Sequence, residues 1–227
     1  MKKPIFIYGA GGHSKTVIDL ILSLGDWEIV GVVDDGVETG TLVMGYPVLG
    51  SANILSSLQG EGIVSVVNAV GGIGNYQVRW RIFERLRKMN FEFPNLIHPT
   101  AYIEKSVHLD EGIQILAKSY ISSESQIGFG SLINAGVVLS HECNIGTCVN
   151  LSPGALLAGN VEVNDFAQIG MGVTINLGVR IGKAARVGNS AVVKGDVPDQ
   201  GRVYAGTIWP YSKNEIIQTD RDFRKIA

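Results

Sequence analysis

Several features are scarce in this 227-residue sequence, and each scarcity excludes a class of protein. Lysine and arginine number 19 against 21 aspartates and glutamates, so there is no electrostatic case for a nucleic acid or an anionic membrane as partner. No apolar run approaches the roughly 20 residues of a membrane-spanning helix. The two cysteines, Cys143 and Cys148, fit reduced thiols better than a disulfide or a metal site, and we expect a cytoplasmic protein.

An aliphatic residue instead recurs at every sixth position, without a slip in phase. This aliphatic ladder consists of Ile97, Ile103, Leu109, Ile115, Ile121, Ile127, Ile133, Leu139, Ile145, Leu151, Leu157, Val163, Ile169, Ile175, Ile181, Val187 and Val193. A helix has a period of 3.6 and an ordinary strand a period of two, whereas hexapeptide repeats are typical of parallel β-helices. We therefore expect three hexads to close one triangular coil, in a stack of about five to six coils.

The sequence before the ladder alternates strand and helix patterns. An apolar run at 5–8 ends at Gly9-Ala10-Gly11-Gly12-His13-Ser14-Lys15, and an amphipathic helical pattern follows. A second strand at 29–33 ends in Asp34-Asp35, a short helix is expected around 52–58, and a third strand at 63–67 leads into a second glycine cluster. This predicts a Rossmann-like α/β half domain with a three- to four-stranded parallel sheet. The expected division is 1–94 for this domain, 95–206 for the β-helix and 207–227 for a C-terminal tail.

The predicted strand ends of the first domain suggest a nucleotide site. A glycine turn between a strand and a helix presents backbone amides that suit phosphate. An acid at the end of the second strand, here Asp34 or Asp35, suits a ribose hydroxyl. The alternative is a glycine turn that serves only close packing. One nucleotide is the expected limit, because the second half of a dinucleotide fold is missing.

One histidine of the repeat region has a phase that suits catalysis. His141 falls at a turn, is followed by Glu142, and is expected to point outward. Gly159, eighteen residues later, belongs one coil above it in the same column. A base and a backbone amide so placed can flank a reacting carbonyl, as acyl transfer requires. A solvated corner histidine is the alternative interpretation.

The glycine turn with Asp34-Asp35, joined to uninterrupted hexads that carry Ser140-His141-Glu142-Cys143-Asn144-Ile145-Gly146, resembles a known family. The family is the hexapeptide-repeat sugar acyltransferases of the sialic-acid and bacillosamine type, and the resemblance covers residues 4–206. It is closest to the N-acetyltransferases of nucleotide-linked 4-amino sugars. The resemblance implies a left-handed β-helix, acetyl-CoA as co-substrate, and a homotrimer with active sites between subunits. The implied reaction acetylates the C4 amine of a nucleotide-linked 4-amino-4,6-dideoxy sugar.

The resemblance also implies roles for individual residues. His141 would be the general base with Glu142 orienting it, and the Gly159 amide would hold the thioester oxygen. Asn134 would contact the acceptor sugar from the neighbouring subunit. The sugar nucleotide would be held by Gly11, Gly12, His13, Asp34 and Asp35.

Two positions depart from the family pattern. Asn150 stands where many relatives carry a histidine that contacts the cofactor or the acetyl group, so this contact is expected to differ. The usual Gly-Val-Pro-Ala ending is replaced by residues 205–210, Ala-Gly-Thr-Ile-Trp-Pro. This replacement affects the expected contacts to the adenine end of CoA.

Other functions are compatible with the same residues. The same base would serve a sugar O-acetyltransferase of the sialic-acid type, and a sugar-nucleotide-binding scaffold without catalysis is a third possibility. A zinc hydratase of the γ-carbonic-anhydrase kind needs three converging histidines. His98, His108 and His141 have different phases in the hexad, so no metal site is expected. UDP, GDP and dTDP sugars all fit the predicted site.

Overall fold

The computed structural model describes residues 2–72, 74 and 76–211. Its N-terminal elements are β1 Lys3–Tyr8, α1 Gly12–Leu24, β2 Trp27–Val33, β3 Leu42–Val43, β4 Tyr46–Gly50, a 3-10 turn Ala52–Ile54, α2 Leu55–Gly60, β5 Ser65–Asn68 and α3 Tyr76–Lys88. The strand order is β3-β4-β2-β1-β5, and every neighbouring pair except β3–β4 is parallel. The Rossmann-like half domain is therefore confirmed.

The sheet has one hairpin that the sequence analysis did not predict. Strands β3 and β4 are antiparallel and joined by Met44 and Gly45, whose φ angles are 48° and 87°. Positive φ at both central residues is the requirement of a type I′ hairpin turn. Strand β4 then pairs in parallel with β2. The two extra strands lie between the second and third predicted strands in the sequence, and at the edge of the sheet in space.

The rest of the described chain winds into a three-sided prism of short strands. They are β6 Leu96–Ile97, β7 Tyr102–Ile103, β8 His108–Leu109, β9 Gln114–Ile115, β10 Tyr120–Ile121, β11 Gln126–Ile127, β12 Leu132–Ile133, β13 Val138–Leu139, β14 Asn144–Ile145, β15 Asn150–Leu151, β16 Leu156–Leu157, β17 Glu162–Val163, β18 Gln168–Ile169, β19 Thr174–Ile175, β20 Arg180–Ile181, β21 Arg186–Val187, β22 Val192–Val193, β23 Arg202–Val203 and β24 Ile208–Trp209. Every pairing between them is parallel and joins strands one coil apart. This is the left-handed β-helix that was expected.

The prism has three faces with different surroundings. The domain face consists of β6, β9, β12, β15, β18, β21 and β23, and it carries the N-terminal domain. The apolar face consists of β7, β10, β13, β16, β19, β22 and β24. The polar face consists of β8, β11, β14, β17 and β20. The chain passes these faces in that order, so the corner between the apolar and polar faces lies opposite the domain face.

The aliphatic ladder forms the interior of the prism. Its members from Ile115 to Val193 are at most 3% exposed, whereas Ile97, Ile103 and Leu109 are half-buried because they lie at the open end. Each fully buried side chain contributes roughly 1.5–3 kcal/mol before conformational entropy is subtracted. Small polar residues between them are satisfied internally: the hydroxyls of Ser125 and Ser131 each donate to a backbone carbonyl fifteen residues on.

The prism extends beyond the expected boundary at residue 206. The ladder loses its phase after Val193, but Val203 and Trp209 continue the inward series. Strand β24 pairs with β22 through Ile208 and Trp209, which were assigned to the tail. These two residues therefore belong to the apolar face, and residues 212–227 of the expected tail lie outside the described part of the chain.

An aromatic cluster fixes the N-terminal domain to the prism. The Phe83 ring on α3 meets Phe129 of the prism edge-on at 4.8 Å, and Trp80 meets Phe166 at 5.5 Å. Aromatic pairs of this geometry add roughly 0.5–1.5 kcal/mol each to their area burial. The docking holds the carboxyl ends of β1 and β5 over the domain face.

Candidate active site

His141 lies at the corner between the apolar and polar faces, as its phase predicted. The side chain is exposed, and its Nδ1 is 2.9 Å from Oε2 of Glu142. Glu142 has a φ of 59°, and this left-handed conformation turns the chain at the corner. A carboxylate only accepts hydrogen bonds, so Nδ1 carries the proton and the lone pair of Nε2 points away from Glu142.

Gly159, one coil on from His141, lies against the imidazole. The N–H of Asn160 donates to the His141 carbonyl at 2.9 Å, which fixes the stacking of the two coils. A Cβ at residue 159 would lie 2.5 Å from Cε1 and 2.6 Å from Nε2 of His141, so no larger residue leaves the ring in place. Residues 141 and 159 are therefore stacked on one corner of the prism, as predicted.

The Gly159 amide makes no hydrogen bond to the described residues. Some corner amides at the same phase of the hexad are capped by the side chain one coil on: Thr147 N–H donates to Asp165 and Met171 N–H donates to Asn189. The side chain one coil on from Gly159 is Leu177, which has no acceptor. The corner thus combines an oriented imidazole with an unused donor, which is the pair that an acyl-transfer step needs.

Asn134 and Asn150 form a second polar cluster, which the structure does not bring to His141. Asn134 Nδ2 donates to the Leu151 carbonyl at 2.8 Å and lies 3.4 Å from Asn150 Oδ1. Asn150 is buried, and its Nδ2 donates to Ser152 Oγ at 3.1 Å. Asn150 belongs to the domain face, opposite the His141 corner. One chain therefore carries two separate halves of the predicted site.

A cavity of about 340 Å³ continues from Asn150 along the domain face. Gln168 lies in its wall, and its Oε1 accepts from the Gly74 N–H at 3.1 Å while its sealed Nε2 has no partner among the described residues. Arg186 also lines the cavity and donates to the Gly74 carbonyl at 2.7 Å. The glycine cluster after β5 thus forms the junction between the N-terminal domain and this cavity.

Asp34 and Asp35 both accept hydrogen bonds from their own chain. Asp34 Oδ2 accepts from the Ala10 N–H in the glycine turn at 2.7 Å, and its Oδ1 accepts from the Gly36 and Val37 amides. Asp35 accepts from the Ala52 N–H, from the Tyr8 hydroxyl and from Arg85. The two acids brace the β1–α1 turn and the end of β2, and a bond to a ribose hydroxyl stays a prediction.

The charges around Asp35 shift two pKa values in opposite directions. Partial burial acts to raise the pKa of Asp35, but the hydrogen bonds from Ala52, Tyr8 and Arg85 outweigh it and lower that pKa overall. Burial, together with the hydrogen bond to Asp35, raises the pKa of Tyr8 to about 12. The pair is therefore an anionic acceptor and a neutral donor at neutral pH.

The glycine turn itself presents an open surface. Gly11 and Gly12 are exposed, and a Cβ at either position would meet no atom within 4 Å. Gly11 is the N-cap of α1 without a side-chain cap, so the first amides of the helix remain available to an anion. His13 follows them, and its Nε2 is 2.9 Å from Oε1 of Gln114 on the domain face.

Comparison with known proteins identifies the family. Residues 4–86 match the PglD N-terminal domain. A mutant of perosamine N-acetyltransferase from Caulobacter crescentus, solved in complex with CoA and GDP-perosamine, is 33% identical with a TM-score of 0.84 over 89% of this chain and 93% of that one. The acetyltransferase domain of PglB from Neisseria gonorrhoeae FA1090, solved with acetyl coenzyme A, is 30% identical with a TM-score of 0.82 over 91% of this chain and 98% of that one. The chain belongs to the PglD-type sugar N-acetyltransferase family.

Curated relatives of this acetyltransferase are covered to different extents. GDP-perosamine N-acetyltransferase of Escherichia coli O157:H7 is 29% identical over 73% of this chain and 75% of its own length. The chain spans 52% of UDP-N-acetylbacillosamine N-acetyltransferase of Bacillus subtilis and 23% of an uncharacterized protein of Acanthamoeba polyphaga mimivirus. The named relatives include both a GDP-sugar and a UDP-sugar enzyme.

Several polar residues at the junction between the N-terminal domain and the prism were not predicted from the sequence. Gln114, Gln168 and Arg186 each precede a ladder residue on the domain face, eighteen or thirty-six residues from Asn150. An eighteen-residue step along the outward positions, rather than the six-residue step of the core, would have revealed this polar column. Among the described residues no helix is long and apolar enough to cross a membrane, and no three His, Cys, Asp or Glu side chains are placed to bind a metal ion.

Proposed function

We propose that this chain transfers acetyl from acetyl-CoA to the C4 amine of a nucleotide-linked 4-amino-4,6-dideoxy sugar. The observation that carries the proposal is the His141 imidazole, which is oriented by Glu142 and lies against Gly159, whose amide has no hydrogen-bond partner among the described residues. Family membership supplies the substrate class, since relatives are named as perosamine and bacillosamine N-acetyltransferases and two solved relatives hold CoA or acetyl-CoA.

The corner geometry supports a direct transfer. His141 Nε2 accepts a proton from the C4 amine as the nitrogen attacks the thioester carbon. The carbonyl oxygen then becomes an oxyanion that accepts a hydrogen bond from the Gly159 N–H. The C–S bond breaks, and the imidazolium returns the proton to the CoA thiolate. Cys143 is fully buried, and burial raises its pKa, so it does not suit the role of nucleophile.

A homotrimer with sites between subunits is part of the proposal. The outward residues of the apolar face are Tyr102, Tyr120, Val138, Leu156, Thr174, Val192 and Ile208, and three of them are large apolar side chains exposed by 44–62%. A continuous apolar strip of this kind suits contact with a second copy of the chain. Contact along it would bring the His141 corner of one subunit towards the Asn134–Asn150 cluster of the next.

In this arrangement Asn150, Asn134 and the cavity beside them contribute from the neighbouring subunit. Asn150 would contact acetyl-CoA and Asn134 the acceptor sugar, while Gly11, Gly12 and His13 hold the sugar nucleotide. A cytoplasmic location belongs to the same proposal, because Cys143 and Cys148 are free thiols and a reducing compartment keeps them so.

The experiment that tests the proposal is thiol release from acetyl-CoA across a panel of GDP-, UDP- and dTDP-linked 4-amino sugars. We expect turnover with at least one of them, and a loss of about 10²-fold or more in kcat for His141→Ala. The variant should fold normally, since the side chain is 59% exposed. Full activity of His141→Ala would remove this residue from the mechanism, and activity only on hydroxyl acceptors would favour an O-acetyltransferase.

A further inference from the structure

His13 is held by a hydrogen-bond chain that runs from the prism to the end of β5. Gln114 Nε2 donates to the Asn68 carbonyl at 2.8 Å, and Gln114 Oε1 lies 2.9 Å from His13 Nε2. The same Asn68 carbonyl accepts from Arg79 Nη1 at 2.9 Å. Gln114 and Arg79 are each 1% exposed, so these bonds are shielded from solvent.

These hydrogen bonds determine which nitrogen of His13 carries the proton. A backbone carbonyl can only accept, so the Gln114 atom facing Asn68 must be the amide nitrogen. The other amide atom, which faces His13, is then the oxygen, and an oxygen requires a donor. His13 Nε2 is therefore the protonated nitrogen.

The second nitrogen of the ring is left as an acceptor. Burial lowers the pKa of His13 below its ordinary 6.5, the Gln114 hydrogen bond opposes this shift, and the nearby Arg79 charge lowers the pKa further, so the ring is neutral at pH 7. Nδ1 has no hydrogen-bond partner among the described residues. Nδ1 is also not among the solvent-inaccessible side-chain atoms without a partner, which in the described part of the chain are the amide nitrogens of Asn164 and Gln168, so it remains accessible to a ligand.

We propose that Gln114 is a positioning residue that fixes His13 in the Nε2–H form, so that Nδ1 accepts a hydrogen bond from a hydroxyl of the sugar nucleotide. The ring follows the open glycine turn at the carboxyl end of β1, where an α/β sheet binds its ligand. A neutral acceptor repels rather than binds phosphate oxygens, so the diphosphate is left to the Gly11 and Gly12 amides. The identity of the ligand rests on the proposed function, whereas the tautomer does not.

The tautomer is tested by NMR on the ligand-free protein labelled with ¹⁵N-histidine. We expect one of the four histidines, assigned to His13 by its loss in His13→Gln, to show a pyrrole-type Nε2 and a pyridine-type Nδ1. In Gln114→Leu the constraint is removed and the same signals should shift towards a mixture of the two forms. A protonated Nδ1 in the wild-type protein would overturn the proposal.

The hydroxyl is tested by calorimetry with two variants of His13. His13→Asn places an amide oxygen close to the position of Nδ1. His13→Gln can still reach Gln114, but it offers no acceptor at the position of Nδ1. We expect His13→Gln to bind UDP, GDP or GDP-mannose about five- to tenfold more weakly, the loss of one hydrogen bond, and His13→Asn to bind within about twofold of the wild type. Equal binding by His13→Gln and the wild type for all three probes would overturn the proposal.

The choice of probe separates the two sources of the hydroxyl. If it is the ribose 2′-hydroxyl, 2′-deoxy-UDP and 2′-deoxy-GDP should bind the wild type as weakly as UDP and GDP bind His13→Gln. If it belongs to the hexose, only GDP-mannose should discriminate the variants. Wild-type protein that binds none of these probes overturns the ligand assignment, and binding without acetyl transfer overturns the proposed function alone.

Discussion

The substitution Gly159→Ala separates the catalytic geometry from the stability of the fold. The added Cβ would lie 2.5 Å from Cε1 of His141, and ordinary carbon contacts begin near 3.5 Å, so the ring must move by about 1 Å. The ring can move because it is 59% exposed, and the backbone of residue 159 is not in the left-handed region. A misplacement of about 1 Å costs roughly 10²-fold in rate, or about 2.7 kcal/mol of transition-state stabilisation.

The assay is steady-state thiol release with saturating acetyl-CoA, together with urea denaturation of the same preparations. We expect kcat to fall by about 10²-fold while the free energy of unfolding changes by less than about 1 kcal/mol. Gly60→Ala is the matched control, because a Cβ there meets no atom within 4 Å. The double variant His141→Ala, Gly159→Ala should be no slower than His141→Ala, because Gly159→Ala acts by displacing the imidazole that His141→Ala already removes. A kcat for Gly159→Ala within threefold of the wild type would refute the reasoning.

Three further predictions concern the fold and the assembly. Arg79→Met removes three hydrogen bonds at the domain junction and leaves the Val70 and Gly130 carbonyls without a donor, so it should cost about 3 kcal/mol in urea denaturation. Arg85→Met, at a half-exposed ion pair, should cost less than about 1 kcal/mol, and equal losses would contradict this. The pKa of His13 in the folded protein lies below the unfolded value of 6.5, so its contribution to stability is complete above pH 6.5 and is lost as the pH falls through the folded pKa. Between pH 7 and 5 the free energy of unfolding should therefore fall more for the wild type than for His13→Gln. An equal fall for both proteins would contradict this. Leu156→Lys on the apolar face should dissociate the proposed homotrimer in analytical ultracentrifugation, while Gln126→Lys on the polar face should not. A trimer that stays intact in Leu156→Lys would exclude this face as the interface.

The prism could be predicted from the sequence because its contacts repeat. Each ladder residue packs on residues one coil before and after it, so the same contact recurs at a fixed spacing along the sequence. His141 and Gly159 are eighteen residues apart for the same reason, and their juxtaposition followed from the period alone. The half domain was predictable from the glycine turn and the alternation of strand and helix patterns.

The parts that were missed involve contacts that occur once. The hydrogen bond between His13 and Gln114 joins residues 101 positions apart, and the local sequence around neither residue predicts it. The β3–β4 hairpin has only two residues in its first strand, too few for an alternation to be visible. The bonds of Asp34 and Asp35 to the Ala10 and Ala52 amides were not predicted either, because they depend on how two loops meet in space.

The most direct measurement is the structure of the product formed by the wild-type protein from acetyl-CoA and a nucleotide-linked 4-amino-4,6-dideoxy sugar, determined by NMR. The account predicts an amide at C4, formed at a rate that falls by about 10²-fold in His141→Ala. An ester at a sugar hydroxyl, or an amide formed equally fast without the imidazole, would contradict it.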